Sequence, residues 1–259
     1  MLKIARQESD GSAPPLLIVH GLFGSARNWG AIAKRLSDRG PTLAIDMRNH
    51  GESPRDTAHG YPEMAADLAE VIAAEGGPMD VLGHSMGGKA TMRLALERPE
   101  LVRRLIVADI APVTYTHSQS RHIEAMRGLS LDGLETRTEA DRRLAETVDD
   151  PGLRAFFLQS LDLKAEPPRW RLNLDVLEAE MPRIMSWPPT EGLPPFEGPT
   201  LFLAGEKSDY VQPDHREGIR ALFPRARFAR ISGAGHWLHA EKPREFVEAV
   251  RVFLDAPER

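Results

Sequence analysis

The chain of 259 residues contains no cysteine. This absence excludes disulfide bonds, thiolate metal sites and a cysteine nucleophile. The sequence also lacks an apolar run long enough to span a bilayer, and residues 1–15 mix charged with apolar side chains where a signal peptide would have an apolar core. We therefore expect a cytoplasmic protein with no membrane partner.

An excess of positive charge is lacking as well. Lys and Arg number 33 against 38 Asp and Glu, so the net charge is −5 and the isoelectric point is near 6.0. Such a balance gives no reason to expect nucleic acid or an anionic membrane surface as partner. No pattern in the sequence indicates an oligomeric state.

Short apolar runs bounded by turn residues are typical of buried strands. Six such runs lie at residues 16–19, 42–45, 80–82, 105–108, 200–203 and, more weakly, 227–231. Segments with helical spacing separate them, at residues 29–39, 61–75, 87–98, 214–223 and 243–254. This alternation predicts an α/β fold with a mostly parallel central sheet flanked by helices.

The alternation stops between residues 113 and 195, where the chain is charged, helical in pattern and closes in a proline-rich run. We expect a helical cap at residues 113–195, inserted between two strands of a core domain formed by residues 1–112 and 196–259. A separate second domain is the alternative. It is disfavoured because the sheet would then lack its last strands.

The pentapeptide Gly83-His84-Ser85-Met86-Gly87 fits the pattern G-x-S-x-G between a predicted strand and a predicted helix. In that context the pattern predicts a sharp turn that exposes a nucleophilic serine above the sheet. The turn is tight, so the positions two residues either side of Ser85 must be small. Ser85 is therefore the candidate nucleophile, although the pattern also occurs by chance in ordinary turns.

A glycine-containing loop, His20-Gly21-Leu22-Phe23-Gly24, follows the first strong strand. An acyl-transfer intermediate carries negative charge on the former carbonyl oxygen, and two backbone amides stabilise it. One amide follows the nucleophile and the other comes from a loop in this position. We expect Met86 and Leu22 to be these donors, with Phe23 as the alternative to Leu22. A loop that only turns the chain is the structural alternative.

A general base is expected in Gly233-Ala234-Gly235-His236-Trp237, between the last strand and the closing helix. Histidine titrates near neutrality, so His236 can accept a proton from Ser85. The order serine then histidine also fits a hydrolase that uses a serine turn of this kind. Packing or structural roles are expected for the other histidines near these motifs, namely His239, His84, His20 and His50.

The acid that would orient His236 has two candidates. Asp209 lies in the loop after the penultimate strand, where hydrolases with this kind of serine turn usually carry the acid. The usual acid stands three residues after the glycine of that loop, but Ser208 occupies this position and Asp209 comes one residue later. Asp109 ends the strand at residues 105–108 and can also reach the histidine. The spacing favours Asp109. Whichever aspartate is not the acid would be a capping or ion-paired carboxylate.

Taken together, five segments resemble the YbfF-type esterases of the α/β-hydrolase superfamily, and the resemblance covers nearly the whole chain. They are His20–Ser25, Asp46–Gly51, Gly83–Ala90, Asp109–Val113 and Gly233–Trp237. The resemblance implies an α/β-hydrolase fold, a helical cap, no cofactor, and hydrolysis of short-chain esters with acyl-CoA thioesters as further substrates. It also implies that the acid lies at Asp109, while the presence of Asp209 departs from the family pattern.

Several other interpretations remain. Asp46 and His50 could suggest a metal site, but two ligands are too few, so a structural loop is favoured and no metal is expected. Perhydrolase, haloperoxidase-like or carbon–carbon hydrolase chemistry uses the same fold, and a non-catalytic binding protein is also conceivable. A haloalkane dehalogenase is disfavoured because it would carry Asp in place of Ser85.

In the cap, four large apolar residues could line a pocket, although core packing is favoured for most of them. They are Trp170, Met181, Met185 and Trp187.

Overall fold

Strands and helices alternate along most of the chain, as the sequence pattern predicts. The computed structural model describes residues 1–257. Their strands are β1 (Lys3–Gln7), β2 (Leu16–Val19), β3 (Thr42–Asp46), β4 (Met79–His84), β5 (Val102–Ala108), β6 (Leu161–Asp162), β7 (Arg169–Trp170), β8 (Thr200–Gly205) and β9 (Ala226–Ile231). Their α-helices are α1 (Gly30–Leu36), α2 (Tyr61–Ala74), α3 (Met86–Glu97), α4 (Ser120–Gly128), α5 (Arg137–Leu144), α6 (Pro151–Leu158), α7 (Leu174–Ala179), α8 (Met181–Met185), α9 (Arg216–Leu222), α10 (Leu238–Glu241) and α11 (Pro243–Leu254).

Seven of the strands within residues 1–257 form one sheet, in the order β1-β3-β2-β4-β5-β8-β9. Every neighbouring pair is parallel except β1 with β3. The mostly parallel sheet is thus confirmed, and all six predicted runs are strands of it. β1 was not predicted, because its sequence KIARQ has no buried apolar residue and its place depends on antiparallel pairing with β3.

The central strands are buried on both faces. Along β2, Leu17 and Val19 face a core that includes residues of α2 and α3, whereas Leu16 and Ile18 face a core shared with α1 and α11. Successive side chains of a strand point to opposite faces, so a continuous apolar run such as LLIV fits a sheet covered by helices on both sides. The predicted flanking helices are therefore confirmed.

Residues 113–195, called the inserted segment below, lie between β5 and β8. Within this range the chain forms helices α4 to α8 and the antiparallel pair β6–β7. The pair is a departure from the purely helical pattern, and with two residues in each strand it is too short to show a period in the sequence. The predicted core range of residues 196–259 extends past residue 257, the last one that the structure describes.

Because β2, β3, β4, β5, β8 and β9 are parallel, the loops after them open at one edge of the sheet. This carboxyl edge is where ligands bind in open α/β sheets. The loops there carry most of the residues singled out in the sequence. None of the helices in residues 1–257 is long and apolar enough to cross a membrane.

Candidate active site

Ser85 occupies the sharp turn between β4 and α3. Its backbone has φ 53° and ψ −121°, an unfavourable conformation for a residue with a side chain. A Cβ atom at Gly83 would lie 2.5 Å from the carbonyl oxygen of Gly87, and one at Gly87 would lie 2.4 Å from the carbonyl oxygen of His20. Both glycines are therefore required for the turn that presents the Ser85 hydroxyl at the carboxyl edge.

A continuous hydrogen-bonded chain joins Ser85, His236 and Asp109. The Nε2 atom of His236 lies 3.1 Å from Ser85 Oγ, and its Nδ1 atom lies 2.8 Å from Asp109 Oδ2. A carboxylate only accepts, so Nδ1 carries the proton and Nε2 is free to accept one from the serine hydroxyl. The structure thus brings together the three residues predicted from β4, from the loop after β9 and from the end of β5.

Asp109 is fully buried, and its carboxylate has two further hydrogen-bond donors. The backbone amide of Gly205 donates to Oδ1 at 2.9 Å, and the hydroxyl of Ser208 donates to Oδ2. Asp209, in contrast, is exposed, and its Oδ1 accepts a hydrogen bond of 3.3 Å from Gln212. Of the two candidate aspartates, only Asp109 contacts His236.

Ser208 is a site residue that the sequence analysis did not assign. It stands at the place in the loop after β8 where the usual pattern would have an aspartate. The sequence signal for an unusual residue here was that Asp209 stands one residue later than the usual acid. The sequence does not show that this loop meets the end of β5, where Ser208 Oγ reaches Asp109.

The loop after β2 lies directly against the serine turn, since a Cβ atom at Gly21 would be 3.1 Å from Ser85 Cβ. The amide of Phe23 donates a hydrogen bond to His50 Nε2 at 3.2 Å and is therefore not available to a ligand. No acceptor for the amide of Leu22 occurs in the part of the chain that the structure describes. Met86 is the first residue of α3, where an amide has no acceptor within its own helix. The amides of Leu22 and Met86 are thus available to a ligand.

Two buried histidines support this loop as neutral hydrogen-bonding groups. Burial lowers the pKa of His20 to about 4 and the pKa of His50 to about 3. His20 Nδ1 donates to the carbonyl of Gly21 at 2.7 Å, while its Nε2 accepts from the amide of Met47 at 2.9 Å. His20 therefore links the loop after β2 to the loop after β3.

The run Asp46–Gly51 is a hydrogen-bonded loop beside the serine turn. The carboxylate of Asp46 accepts from the amides of Ala26 at 2.8 Å and Glu52 at 2.9 Å. Within residues 1–257 no group of three or more His, Asp or Glu side chains is arranged to hold a metal ion. The oxygens of Asp46 are committed to backbone amides, which is the geometry of a structural loop.

His236 is held by contacts beyond Asp109. The Nε2 of His84 donates to the carbonyl oxygen of His236 at 2.9 Å, and burial holds the pKa of His84 well below its ordinary value. The ring of Tyr210 stacks on the imidazole, with centroids 4.1 Å apart and planes 22° apart. His239 instead stacks on Trp29 at 4.1 Å. Tyr210 had no sequence signal, because stacking depends on how two distant loops meet.

A cavity of about 420 Å³ lies over Ser85. The inserted segment contributes aromatic and aliphatic side chains to its wall, together with the polar residues Gln119, Arg121, His122 and Asp150. The aromatic and aliphatic ones are Tyr115, Leu153, Phe156, Phe157, Ile184 and Met185. Among the four residues considered from the sequence, Met185 lines the cavity. Trp170 and Met181 are buried in the core, and Trp170 Nε1 donates to the carbonyl of Met126 at 2.9 Å. The cavity is therefore suited to an apolar group attached to the atom that Ser85 would attack.

Comparison with known proteins gives consistent matches. The model of the alpha/beta hydrolase family matches residues 16–249. The chain is 40% identical to the mouse (Mus musculus) sn-1-specific diacylglycerol lipase ABHD11, over 95% of this chain and 83% of that protein. It is 39% identical to the esterase YbfF of Escherichia coli strain K12, over 93% of both chains. A solved structure of a marine microorganism esterase superposes with a TM-score of 0.92 at 38% identity, over 97% of this chain and 98% of that one. These matches confirm the predicted resemblance and the predicted fold.

Proposed function

The chain belongs to the alpha/beta hydrolase family, and we propose that it is a serine hydrolase that cleaves carboxylic esters through an acyl-serine intermediate. The observation that carries the proposal is the hydrogen-bonded chain Ser85–His236–Asp109 at the floor of the cavity. The relatives support the ester as substrate class, since two of them are named as an esterase and a diacylglycerol lipase.

In the first half-reaction, Ser85 Oγ attacks the ester carbonyl carbon while His236 Nε2 takes the hydroxyl proton. The negative charge that forms on the carbonyl oxygen is stabilised by the amides of Leu22 and Met86. Collapse of this intermediate breaks the bond to the leaving alcohol, which receives the proton from His236. The products of this step are the free alcohol and an acyl group on Ser85.

In the second half-reaction, a water molecule replaces the alcohol. His236 Nε2 takes a proton from the water, whose oxygen attacks the acyl-serine carbonyl. Collapse of the second intermediate returns the proton to Ser85 Oγ and releases the carboxylic acid. Asp109 keeps the imidazole in the tautomer with the proton on Nδ1 and stabilises its positive charge in both steps, without taking up the proton itself.

The apolar part of the cavity wall supports short-chain acyl esters as substrates, and we propose acyl-CoA thioesters as further substrates. A thioester presents the same carbonyl carbon to Ser85, and its thiol would leave as the alcohol does. We further propose that residues 113–195 act as a cap, because Phe156, Phe157, Ile184 and Met185 from this range line the cavity. A non-catalytic binding protein would have no need of a complete hydrogen-bonded chain beneath such a cavity.

The test is a chain-length series of p-nitrophenyl acyl esters and acyl-CoA thioesters with purified protein. Ser85→Ala is the control, and the small alanine should preserve the fold. We expect turnover by the wild type and a loss in kcat on the order of 10⁴ or more in the variant. Retention of a tenth of wild-type activity by a clean Ser85→Ala preparation would contradict the role of Ser85. Absence of turnover with every ester and thioester would contradict the proposed activity.

A further inference from the structure

Lys89 lies on α3, one helical turn after Ser85, and only 1% of its surface is exposed. Its Nζ donates hydrogen bonds to the carbonyl oxygens of Met185 at 3.0 Å and Ser186 at 2.6 Å. No carboxylate within residues 1–257 forms an ion pair with it. The ammonium group is thus held by backbone carbonyls at the end of α8, which belongs to the inserted segment.

Two tyrosine rings enclose the same ammonium group. The Nζ atom of Lys89 lies 5.6 Å from the ring centroid of Tyr61 and 4.8 Å from that of Tyr115. The hydroxyl of Tyr61 donates to the carbonyl of Ile184, and the amide of Tyr115 donates to the carbonyl of Met185 at 3.0 Å. Lys89 is therefore the centre of a cluster in which the beginning and the end of the inserted segment meet the core.

Burial of this lysine is unfavourable in itself. Desolvation lowers the pKa of Lys89 to about 7, and no carboxylate among the described residues compensates for the lost water. An apolar side chain of the same length would fill the space without that cost. A lysine supplies instead directional N–H donors for the carbonyls at the end of α8, which receive no hydrogen bond from an amide of their own helix. A lysine at position 89 therefore indicates that its role is to hold the end of α8 in place.

The position that Lys89 holds matters for the cavity. Ile184 and Met185 form part of its wall, and the backbone amide of Lys89 donates to the carbonyl of Ser85 at 3.1 Å. Lys89 thus forms hydrogen bonds both with the backbone of Ser85, the candidate nucleophile, and with the backbone of Met185 in the cavity wall. The hydrogen bonds of His236 and Asp109 described above are, by contrast, all made by residues outside the inserted segment.

We infer that Lys89 is a positioning residue for substrate selectivity: the N–H donors on its Nζ atom hold the wall formed by Ile184 and Met185 at a set distance from Ser85, and so determine which acyl groups fit. The inference rests on the proposed ester hydrolysis for its kinetic consequence. Its structural consequence, a wall held in place by Lys89, is independent of the reaction.

The test is Lys89→Met, which keeps the length of the side chain and removes its charge and donors. We expect the ratio of kcat/KM between the best accepted ester and the acetyl ester to fall about tenfold, through KM, because uniform binding of the acyl chain is lost. The kcat for the acetyl ester should change by no more than about threefold, since the triad contacts remain. Hydrogen–deuterium exchange should become faster in peptides covering residues 181–190.

Lys34→Met is the matched control, because Lys34 is an exposed lysine on α1, and it should resemble the wild type in both measurements. An unchanged selectivity ratio together with unchanged exchange in Lys89→Met would overturn the inference, as would an equal loss of kcat for all esters. If neither the wild type nor the variants hydrolyse esters, the proposed function is wrong. The hydrogen–deuterium exchange result then tests the role of Lys89 by itself. Should Lys89→Met not fold, Lys89→Gln keeps two donors without charge, and both effects are then expected in weaker form; their absence counts against the inference.

Discussion

The hydroxyl of Ser208 donates a hydrogen bond to Asp109 Oδ2, the same carboxylate oxygen that accepts the Nδ1 proton of His236. A serine thus stands in the loop after β8 and supports an acid supplied by the end of β5. Because the carboxylate is fully buried, each of its donors stabilises the charged form that the imidazolium needs during turnover.

Ser208→Ala should lower kcat about tenfold with little change in KM, because one charge-assisted hydrogen bond to Asp109 is lost while the Gly205 amide remains. Ser208→Thr keeps the hydroxyl and should retain most of the activity. Steady-state kinetics on one ester measure both. An Ala variant as active as the wild type would mean that the hydroxyl has no part in orienting the acid.

Asp109→Asn should lower kcat by roughly 10³ to 10⁴, because an amide favours the wrong imidazole tautomer and removes the charge partner. Asp209→Asn is the matched control and should change kcat by no more than about a few-fold, since within residues 1–257 its carboxylate is hydrogen-bonded to Gln212 and not to His236. The reverse order of the two losses would identify Asp209 as the acid. Similar modest losses in both variants would indicate that the carboxylates substitute for each other.

The free energy of unfolding should decrease as the pH falls from about 6.5 towards 4, in part because of buried histidines. Burial lowers the folded-state pKa of His20 to about 4 and that of His50 to about 3, from an ordinary value of 6.5. The unfolded chain therefore binds more protons over this range, so the stability from each residue is complete above pH 6.5 and is lost towards the folded pKa. For His20 the shift corresponds to about 3 kcal/mol.

Urea unfolding at pH 7.5, 6, 5 and 4.5 measures this dependence. His50→Gln should flatten it by removing one of the titrating groups. A free energy of unfolding that does not vary between pH 7 and 5 would contradict the prediction.

Activity should not depend on a metal ion. The steps proposed for Ser85 and His236 need only protein groups and water, and no metal-ligand motif occurs in the sequence. Dialysis against a chelator should leave the rate of ester hydrolysis unchanged. Loss of activity on dialysis with recovery on adding Zn²⁺ or Mn²⁺ would show that a step has been missed.

Much of the fold could be predicted from local sequence. Continuous apolar runs mark β2 to β5 and β8, and the helical pattern at residues 243–254 coincides with α11. β1 escaped prediction because it is an edge strand without an apolar pattern, and β6 and β7 because they are too short. The location in the cytoplasm and the division into core and cap stay predictions.

The candidate site was predictable where a motif and its neighbouring elements carry the chemistry, as for Ser85 and His236. Ser208, Tyr210 and Lys89 were not identified, because each acts through a contact with a residue far away in the chain. Lys89 meets Ser186 across 97 positions, and Ser208 meets Asp109 across 99. Such contacts follow from the order of strands in the sheet and the docking of the inserted segment, neither of which leaves a local pattern.

The central claim is that Ser85 carries the acyl group during turnover. Rapid acid quenching of the protein with an excess of a slowly deacylating ester, followed by intact-mass and peptide mass spectrometry, tests it directly. We expect one acyl group per chain, located on the peptide that contains Ser85 and absent in Ser85→Ala. An acyl group on another residue, or sustained turnover by Ser85→Ala under the same conditions, would contradict the claim.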